Sequence, residues 1–312
     1  MASGIHHVTS IAGSARRNLD FYTHTLGLRL VKKTVNFDDP GTYHFYFGDE
    51  AGHPGTILTF FPWAHAPKGR GGVGLTQQTM FRVPEGAIGY WAHRFVEKGV
   101  PHEDIEKRFG QSVLTFTDPD GTSLALVGVA GAETESAWKG SDVPVEHALR
   151  GFYGVRLLLD DAKQTAAILT NVLGFTESGT EGPVTRFVAN GTAMGGVVEI
   201  REAKGFLAGN MGRGSVHHIA FRAATDEAQA EMRRKLVEEH RLQVTEQIDR
   251  CYFRSMYFRE PGGIIFEIAT DQPGFAIDEP LDSLGEALKL PAFLESRRQE
   301  IEATLQPLER AA

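Results

Sequence analysis

The sequence predicts an α+β protein made of four βαβββ modules that form two barrel-like domains. Two observations lead to this fold class. A strand, a helix and three strands follow one another over residues 5–63, and the same order returns over residues 77–129 and again in the second half of the chain. Short stretches of the two halves also match at a nearly constant separation, which indicates an internal repeat. The matching pairs are Leu26–Leu28 with Leu173–Phe175, Asp118–Gly121 with Glu260–Gly263, and Gln77–Arg82 with His217–Arg222.

The elements of the first half follow from apolar spacing and from glycine positions. The strand Ile5–Ile11 precedes a helix over Ala15–Leu26, which Gly27 ends as a C-terminal cap. Three strands complete this module: Arg29–Phe37, Thr42–Phe47 and Gly55–Phe61. The second module has a strand at Gln77–Val83, a helix at Ala87–Lys98 that ends at Gly99, and a turn at Asp118–Gly121. Residues 130–146 are polar and rich in Gly, Ser and Pro, and indicate a linker.

The second half repeats this plan. The third module has a strand at Gly151–Leu159, a helix at Ala162–Leu173 and strands at Val184–Ala189 and Gly196–Arg201. The fourth runs over residues 214–270, with a helix at Asp226–His240. We therefore expect a pair of modules in 1–130, a second pair in 147–270, and a tail in 271–312 that is helical from Ala292 onward and packs on the outside.

Composition excludes several classes of protein. The formal net charge is −8 and no long basic run is present, which argues against a nucleic-acid partner. The single cysteine, Cys251, rules out a disulfide within the chain and fits a reducing compartment. No signal-peptide pattern and no apolar run of about 20 residues occurs, so we expect a cytoplasmic protein without a membrane partner.

The sequence contains two His-His pairs, His6-His7 and His217-His218. Each lies at the start of a β-branched strand, and the repeat places the two pairs at equivalent positions. Because adjacent strand residues point to opposite faces, only one histidine of each pair is expected to face a shared interior. A third apolar strand carries one carboxylate, Glu267. Two histidines and one carboxylate form a metal site that leaves coordination positions open. The predicted ligands are His7, His218 and Glu267.

The repeat supplies internal controls for this prediction. In the other two modules the ligand positions lack the histidines and the glutamate: Gln78 stands for His218, Ala125 for Glu267 and Gly154 for His7. This predicts one metal per chain, held where the first module meets the fourth. It also predicts that these two modules, although distant in sequence, form one cavity.

Glu199 lies in a stretch that resembles the strand of Glu267. Counted from the second glycine of each stretch, Glu267 is four residues on and Glu199 only three. Since a slip of one residue reverses the face of a strand, Glu199 is expected to point away from its cavity. The remaining histidines are expected to be structural or on the surface, although His44 and His53 could border the site.

The chain resembles the vicinal-oxygen-chelate superfamily, which includes glyoxalase I, fosfomycin-resistance proteins and extradiol ring-cleaving dioxygenases. It is more similar still to hydroquinone-type ring-cleaving dioxygenases. The resemblance spans about residues 4–285. The stretches that carry it are Ile5–Ser10, Leu28–His44, Pro54–Pro62, Arg108–Gln111, Glu146–Gly151 and Pro261–Glu267.

The resemblance implies a dioxygenase that opens a hydroquinone or catechol ring with O₂. Its metal is Fe(II), with Mn(II) accepting the same ligands; no other cofactor is implied, the partners are a small aromatic substrate and O₂, and a homo-oligomer is left open. The metal ligands map onto His7, His218 and Glu267. The family's other active-site groups map onto His6, Thr9, His217, Arg250 and Tyr257.

The individual roles have alternatives. Arg250 neutralises developing negative charge or forms a plain salt bridge, and Tyr257 donates a proton or hydrogen bond or is a core residue. His6 and His217 are expected to face away from the metal. Two other functions compete: a glyoxalase-like lyase, isomerase or thiol transferase, and a binding protein without catalysis. Three ligands, rather than four or none, favour the dioxygenase.

Overall fold

A computed structural model describes residues 4–308 of the chain. The first two modules follow the predicted order. The first comprises β1 (Ile5–Ala12), α1 (Ala15–Asp20) extended by a π-helical turn (Phe21–Thr25), β2 (Arg29–Asn36), β3 (Asp39–Gly48) and β4 (Ile57–Pro62). The second comprises β5 (Leu75–Pro84), a 3-10 turn (Glu85–Ala87), α2 (Ile88–Lys98), β6 (Glu106–Arg108), β7 (Gln111–Thr117) and β8 (Ser123–Val129).

The second half has the same plan with one strand that the sequence did not predict. The third module comprises β9 (Phe152–Leu159), α3 (Lys163–Asn171), β10 (Phe175–Glu181), β11 (Val184–Ala189) and β12 (Val197–Glu202). The fourth comprises β13 (Ser215–Ala223), α4 (Asp226–Glu238), β14 (Ile248–Asp249), β15 (Arg254–Arg259) and β16 (Ile265–Thr270). The additional strand is β10, a largely exposed edge strand whose polar sequence has no apolar alternation to reveal it.

Local sequence explains where the helices begin and end. The Ser14 side chain accepts a hydrogen bond from the Arg17 amide and caps α1, and Thr225 caps α4 in the same way through the Ala228 amide. Gly99 ends α2 in the left-handed conformation, with φ 66°, which a glycine adopts without strain. The predicted glycine stop of this helix is thus confirmed.

The strands form two curled eight-stranded sheets, and each sheet combines modules from both halves of the chain. The first sheet has the order β14-β15-β16-β13-β1-β4-β3-β2, and the second has the order β10-β11-β12-β9-β5-β8-β7-β6. In both, the two modules meet through the antiparallel pair at the centre, β1 with β13 and β5 with β9. The predicted pairing of the first module with the fourth is therefore confirmed.

The main hydrophobic core lies between the helices and the outer faces of both sheets, and includes Val8, Phe60, Trp91 and Phe221. The opposite, concave face of the first sheet carries both polar side chains and a smaller apolar cluster that includes Val31, Tyr46 and Phe253. The tail packs on the outside, as predicted: Leu294 of α5 (Ala292–Glu295) and Ile301 of α6 (Arg298–Thr304) pack with Val35 of β2. None of the helices in residues 4–308 is long and apolar enough to cross a bilayer.

Candidate active site

Three neighbouring strands of the first sheet bring the predicted metal ligands together. On β1 and β13, His7 lies opposite Ala220 and Thr9 lies opposite His218. Ala220 in turn pairs with Glu267 on β16. His7, His218 and Glu267 are all buried, and each offers one ligand atom within 4.8 Å of the other two.

The three ligand atoms point at one another without a matching set of hydrogen bonds. Glu267 Oε2 lies 3.3 Å from His7 Nε2 and 3.0 Å from His218 Nε2, and the two Nε2 atoms are 3.4 Å apart. Nevertheless, Glu267 Oε2 has no partner in hydrogen-bonding geometry. An orphaned carboxylate oxygen that is fully buried is costly, so this convergence is typical of a cation site.

Both histidines of each pair lie on the same side of the sheet, contrary to the prediction from strand alternation. The pairing of β1 with β13 shifts between Ile5 and His7 and again between Thr9 and Ser10, which leaves His6 and His217 as the extra residues of two β-bulges. A bulge places two residues opposite one and locally cancels the alternation of side chains. Accordingly, His217 lines the cavity beside His218 rather than facing away from it.

The register confirms the prediction that the two His-His pairs occupy equivalent positions. The antiparallel pairing of β1 with β13 is symmetric about Val8 opposite Ile219, with one bulge on each side, at His6 and at His217. His7 therefore corresponds to His218, and the symmetry brings both ligands to the same cavity.

Each ligand histidine contacts its own neighbour through the second ring nitrogen. His6 Nδ1 lies 3.0 Å from His7 Nδ1, and His217 Nδ1 lies 2.8 Å from His218 Nδ1. If Nε2 of the ligand histidine is free to bind a cation, its proton is on Nδ1 and donates to the neighbour. Burial lowers the pKa of His6 well below its usual value and that of His217 to about 3, so both neighbours are neutral acceptors at neutral pH.

Ser255, which the sequence analysis missed, holds the other oxygen of Glu267. Its hydroxyl donates to Glu267 Oε1 over 2.5 Å. Burial alone would raise the pKa of Glu267, but His7 and His218 hold it well below its usual range, so the carboxylate is ionised. A signal was present in the sequence, because Ser255 is two residues before Tyr257 and so shares its face of β15.

Arg250 and Tyr257 are adjacent at the wall of the cavity. Tyr257 lies opposite Glu267 in the β15–β16 pair, and its ring meets the edge of the His218 ring. Arg250 Nε donates to the Tyr257 hydroxyl oxygen over 3.3 Å, and its Nη2 lies 3.1 Å from Asp38 Oδ2. Since a guanidinium only donates, the Tyr257 hydroxyl hydrogen remains available to another acceptor. Burial and nearby Glu267 raise the pKa of Tyr257, which keeps this hydrogen in place.

Thr9 belongs to a chain of hydrogen bonds that leads to His44. Thr9 Oγ1 lies 2.8 Å from Thr59 Oγ1, which lies 2.9 Å from His44 Nε2, and His44 Nδ1 is 2.9 Å from the Tyr46 hydroxyl. His44 and Tyr46 line the cavity, so His44 does border the site. His53 does not, since its exposed ring pairs with Asp49 instead.

The cavity at these residues has a volume of about 400 Å³. The rest of its lining, apart from its polar groups, is mainly aromatic. The polar lining residues are His7, Asn36, Asp38, His44, Tyr46, His217, His218, Arg250 and Tyr257. A space of this size, apolar with a few convergent polar groups, is typical of a site for a small organic ligand. The apolar lining residues are Phe37, Phe61, Trp63, Phe253 and Ile265.

The second sheet has no such site at the corresponding positions. Its register places Gly154, Gln78 and Ala125 where the first sheet has His7, His218 and Glu267, as the repeat predicted. Gln78 is instead bound by Arg108, over 2.6 Å.

Glu199 faces the concave side of the second sheet, contrary to the prediction. Strand pairing makes Glu199 itself the equivalent of Glu267, because Glu199 pairs with Arg156 as Glu267 pairs with Ala220, so both carboxylates lie on the concave face of their sheets. The loops before the two strands differ in length, which defeated the count from glycine. Glu199 is buried in ion pairs with Arg156 at 2.6 Å and Arg186 at 2.7 Å.

A family model and several known proteins are similar to this chain. The family model of the Glyoxalase/Bleomycin resistance protein/Dioxygenase superfamily matches residues 4–126 and 151–268. MhqO of Bacillus subtilis (strain 168), whose name assigns it provisionally to the ring-cleaving dioxygenases, is 46% identical over 98% of this chain and 96% of its own length. A Chlorohydroquinone/hydroquinone 1,2-dioxygenase of Sphingobium indicum is 32% identical over 97% of this chain and 95% of its own.

Solved structures extend the comparison. A crystal structure from Bacillus subtilis subsp. subtilis str. 168, of a protein provisionally described as a dioxygenase, has a TM-score of 0.93 at 45% identity and covers 99% of this chain and 98% of that one. Glyoxalase I from Zea mays has a TM-score of 0.65 at 15% identity over 86% of this chain and 93% of that one, and so shares the fold. The chain belongs to the Glyoxalase/Bleomycin resistance protein/Dioxygenase superfamily.

Proposed function

We propose that this protein is an Fe(II)-dependent dioxygenase that opens the ring of a hydroquinone or catechol with O₂. The observation that carries the proposal is the convergence of His7 Nε2, His218 Nε2 and Glu267 Oε2 beside a largely aromatic cavity. The names of its relatives, which describe ring-cleaving and hydroquinone dioxygenases, support the same reaction.

The residues present fit a divalent metal. Two neutral imidazoles and one ionised carboxylate leave a net charge of about +1 on a site that holds a divalent ion. Such a site attracts an anionic phenolate, and the orphaned Oε2 of Glu267 gains the partner that it otherwise lacks. Fe(II) and Mn(II) both accept this donor set, and we propose Fe(II) because it can relay electrons between a bound ring and O₂.

Three ligands leave coordination positions for the substrate and O₂. In the first sheet, the position equivalent to Glu267 in the first module is Thr59, which pairs with Thr9 as Glu267 pairs with Ala220. Thr59 offers no carboxylate for a fourth protein ligand, and its hydroxyl is already bonded to Thr9 and His44. This distinguishes the site from the four-ligand sites of glyoxalase-like enzymes and supports a reaction in which two reactants meet at one metal.

The surrounding side chains orient the ring and stabilise charge. Tyr257, positioned by Arg250, directs its hydroxyl hydrogen toward a substrate oxygen, and the Arg250 cation offsets negative charge that develops there. His217 accepts from His218 at Nδ1 and therefore carries its hydrogen on Nε2, which makes its ring a second donor at the cavity wall. The aromatic walls pack against the substrate ring and exclude water from it.

The proposal is tested by O₂ uptake after anaerobic loading with Fe(II). We expect stoichiometric O₂ consumption and a ring-opened product with a substituted hydroquinone or catechol. His218→Ala is expected to lose both the bound iron and the uptake, whereas His53→Ala, at an exposed histidine, is expected to retain both. Iron bound without O₂ uptake on any ring would contradict the proposal, and a thiol adduct of methylglyoxal would then be tried as a glyoxalase-type substrate.

A further inference from the structure

The first sheet is open, and a segment of the tail crosses its opening. The edge strands β14 and β2 do not pair with each other. Residues 271–291, between β16 and α5, run from one edge to the other, and we call them the strap. At one end, the Gly274 amide donates to the Tyr252 carbonyl over 2.8 Å; at the other, the Lys289 amide donates to the Lys33 carbonyl over 2.9 Å.

The strap is anchored by a fully buried lysine on β2. Lys32 is 0% exposed, and its ammonium group contacts Asp278 Oδ1 at 2.5 Å and also Glu279 Oε2. A buried ammonium is tolerated only when it is paired, and removal of its partners is strongly destabilising. Lys32 is therefore stable in this buried position because the carboxylates of Asp278 and Glu279 pair with its ammonium group.

The same anchor reaches the active site through Tyr252. The Tyr252 hydroxyl donates to the second oxygen of Asp278 over 3.1 Å, and its ring stacks on Phe275 of the strap. Tyr252 belongs to the tight turn 250–253, which the Arg250 amide closes by donating to the Phe253 carbonyl over 3.0 Å.

This turn has two sides. Arg250 and Phe253 line the cavity, and the Phe253 ring lies 4.9 Å from the His7 ring. Tyr252, between them in sequence, is held from behind by the strap. The strap therefore contacts this turn through Tyr252, whereas Arg250 and Phe253 of the same turn line the cavity.

The second sheet closes its opening by a different contact. There the Phe109 amide donates to Glu181 Oε2 over 2.5 Å, and the Arg186 guanidinium lies 3.8 Å from the centre of the Phe109 ring. The repeat relates Phe109 to Cys251, and both adopt left-handed backbone conformations, with φ of 47° and 67°. With the small Cys251 in place of an aromatic ring, the turn of the first sheet lacks this direct contact.

Two side-chain contacts also span the same opening directly: the Lys32 ammonium lies 5.0 Å from the centre of the Tyr252 ring, and Arg250 forms an ion pair with Asp38. The Asp38 side chain is 74% exposed, and exposed ion pairs contribute little. Of the two ionic links, the buried one through Lys32 is therefore the stronger.

We propose that Lys32 is a positioning residue for the active site. Through Asp278 and Tyr252 it fixes the turn 250–253, and so holds Arg250 and Phe253 where an aromatic substrate binds. The part that concerns substrate rests on the proposed function, whereas the mechanical link from Lys32 to the turn does not.

The experiment combines amide hydrogen exchange of the full chain with anaerobic equilibrium dialysis of hydroquinone against the Fe(II)-loaded protein. Lys32→Met keeps the length of the side chain without its charge, and Tyr252→Phe removes only the hydroxyl that bonds Asp278. Lys98→Met is the control, because Lys98 pairs with Asp142 at 3.7 Å, away from the strap.

For Lys32→Met, exchange is expected to rise about tenfold or more in both the strap and residues 250–253, because a hydrogen-bonded charge is lost. The dissociation constant of hydroquinone is expected to rise about as much, with bound iron per chain unchanged. Tyr252→Phe is expected to raise amide exchange in residues 250–253 only. Lys98→Met is expected to leave exchange unchanged in both the strap and residues 250–253. Should Lys32→Met fail to fold, Asp278→Asn with Tyr252→Phe gives the same comparison.

The inference would be overturned if amide exchange in residues 250–253 stayed at the wild-type rate both in Tyr252→Phe and in Lys32→Met, or in Asp278→Asn where Lys32→Met does not fold. A wild-type protein that opens no ring, yet shows the coupled exchange, would instead refute the proposed function alone.

Discussion

His217 Nδ1 lies 2.8 Å from His218 Nδ1, although the two residues are consecutive in one strand. Regular alternation would send their rings to opposite faces, and the β-bulge at His217 brings them to the same one. The contact assigns the two rings different tasks: His218 offers Nε2 to the metal, and His217 fixes its tautomer and lines the cavity. The same arrangement recurs at His6 and His7.

The neutral state of His217 predicts a dependence of folding stability on pH. Burial and the adjacent His218 lower its pKa to about 3, so the unfolded chain takes up a proton below about pH 6.5 that the folded chain does not. The free energy of unfolding of the metal-free protein is expected to fall by about 2 kcal/mol between pH 7 and 5 from this group alone. Urea unfolding at both pH values measures the fall.

The fall is expected to shrink by about that amount in His217→Gln. His53→Gln serves as the control, because Asp49 raises the pKa of His53 and its loss cannot reduce the fall. An equal fall in the wild type and in His217→Gln would contradict the prediction.

Ser255→Ala is expected to weaken metal binding. The serine hydroxyl donates to Glu267 Oε1 and orients the carboxylate, and loss of such an outer partner typically costs about 10- to 100-fold in affinity. Competition with a chelator measures the change. Ser123→Ala is a matched control, because Ser123 accepts a hydrogen bond from Gln78 in the second sheet. Equal metal affinity in both variants would rule out this role for Ser255.

Tyr257→Phe is expected to separate catalysis from metal binding. The variant keeps the ring against His218 but loses the hydroxyl that Arg250 orients. We expect kcat/KM for ring opening to fall by about 100-fold or more, since a donor aimed at developing charge is lost, while bound iron is unchanged. Tyr153→Phe, which loses a hydroxyl that donates to Gln111 in the second sheet, is expected to retain full activity. Full activity in Tyr257→Phe would assign Tyr257 to the core instead.

Glu199→Gln is expected to affect stability and not the metal. Its carboxylate is 1% exposed and separates two arginines, Arg156 and Arg186, so its neutralisation leaves buried positive charge without compensation. We expect the free energy of unfolding to fall by about 3 kcal/mol or more, as measured in urea. Bound iron per folded chain should remain at the wild-type value; a loss of iron at unchanged stability would place a metal near Glu199.

The sequence predicted the order of the modules, the pairing of the first with the fourth, and a His-His-Glu cluster that the structure brings together. These follow from local signals: helix spacing, glycine stops and an internal repeat that exposed Gln78, Ala125 and Gly154 as non-ligand counterparts. It missed β10, because an exposed edge strand has no apolar face to mark it. It also missed Ser255 and left the role of His44 open, since their partners are distant in sequence.

The sequence by itself determined which residues have the chemistry of a metal site and on which strands they lie, because residue type and strand periodicity are local properties. Only the tertiary structure decided how they face. The bulges at His6 and His217 and the facing of Glu199 depend on the register between strands far apart in the chain. A shift of one residue in that register reverses a side chain, and no local pattern fixes it.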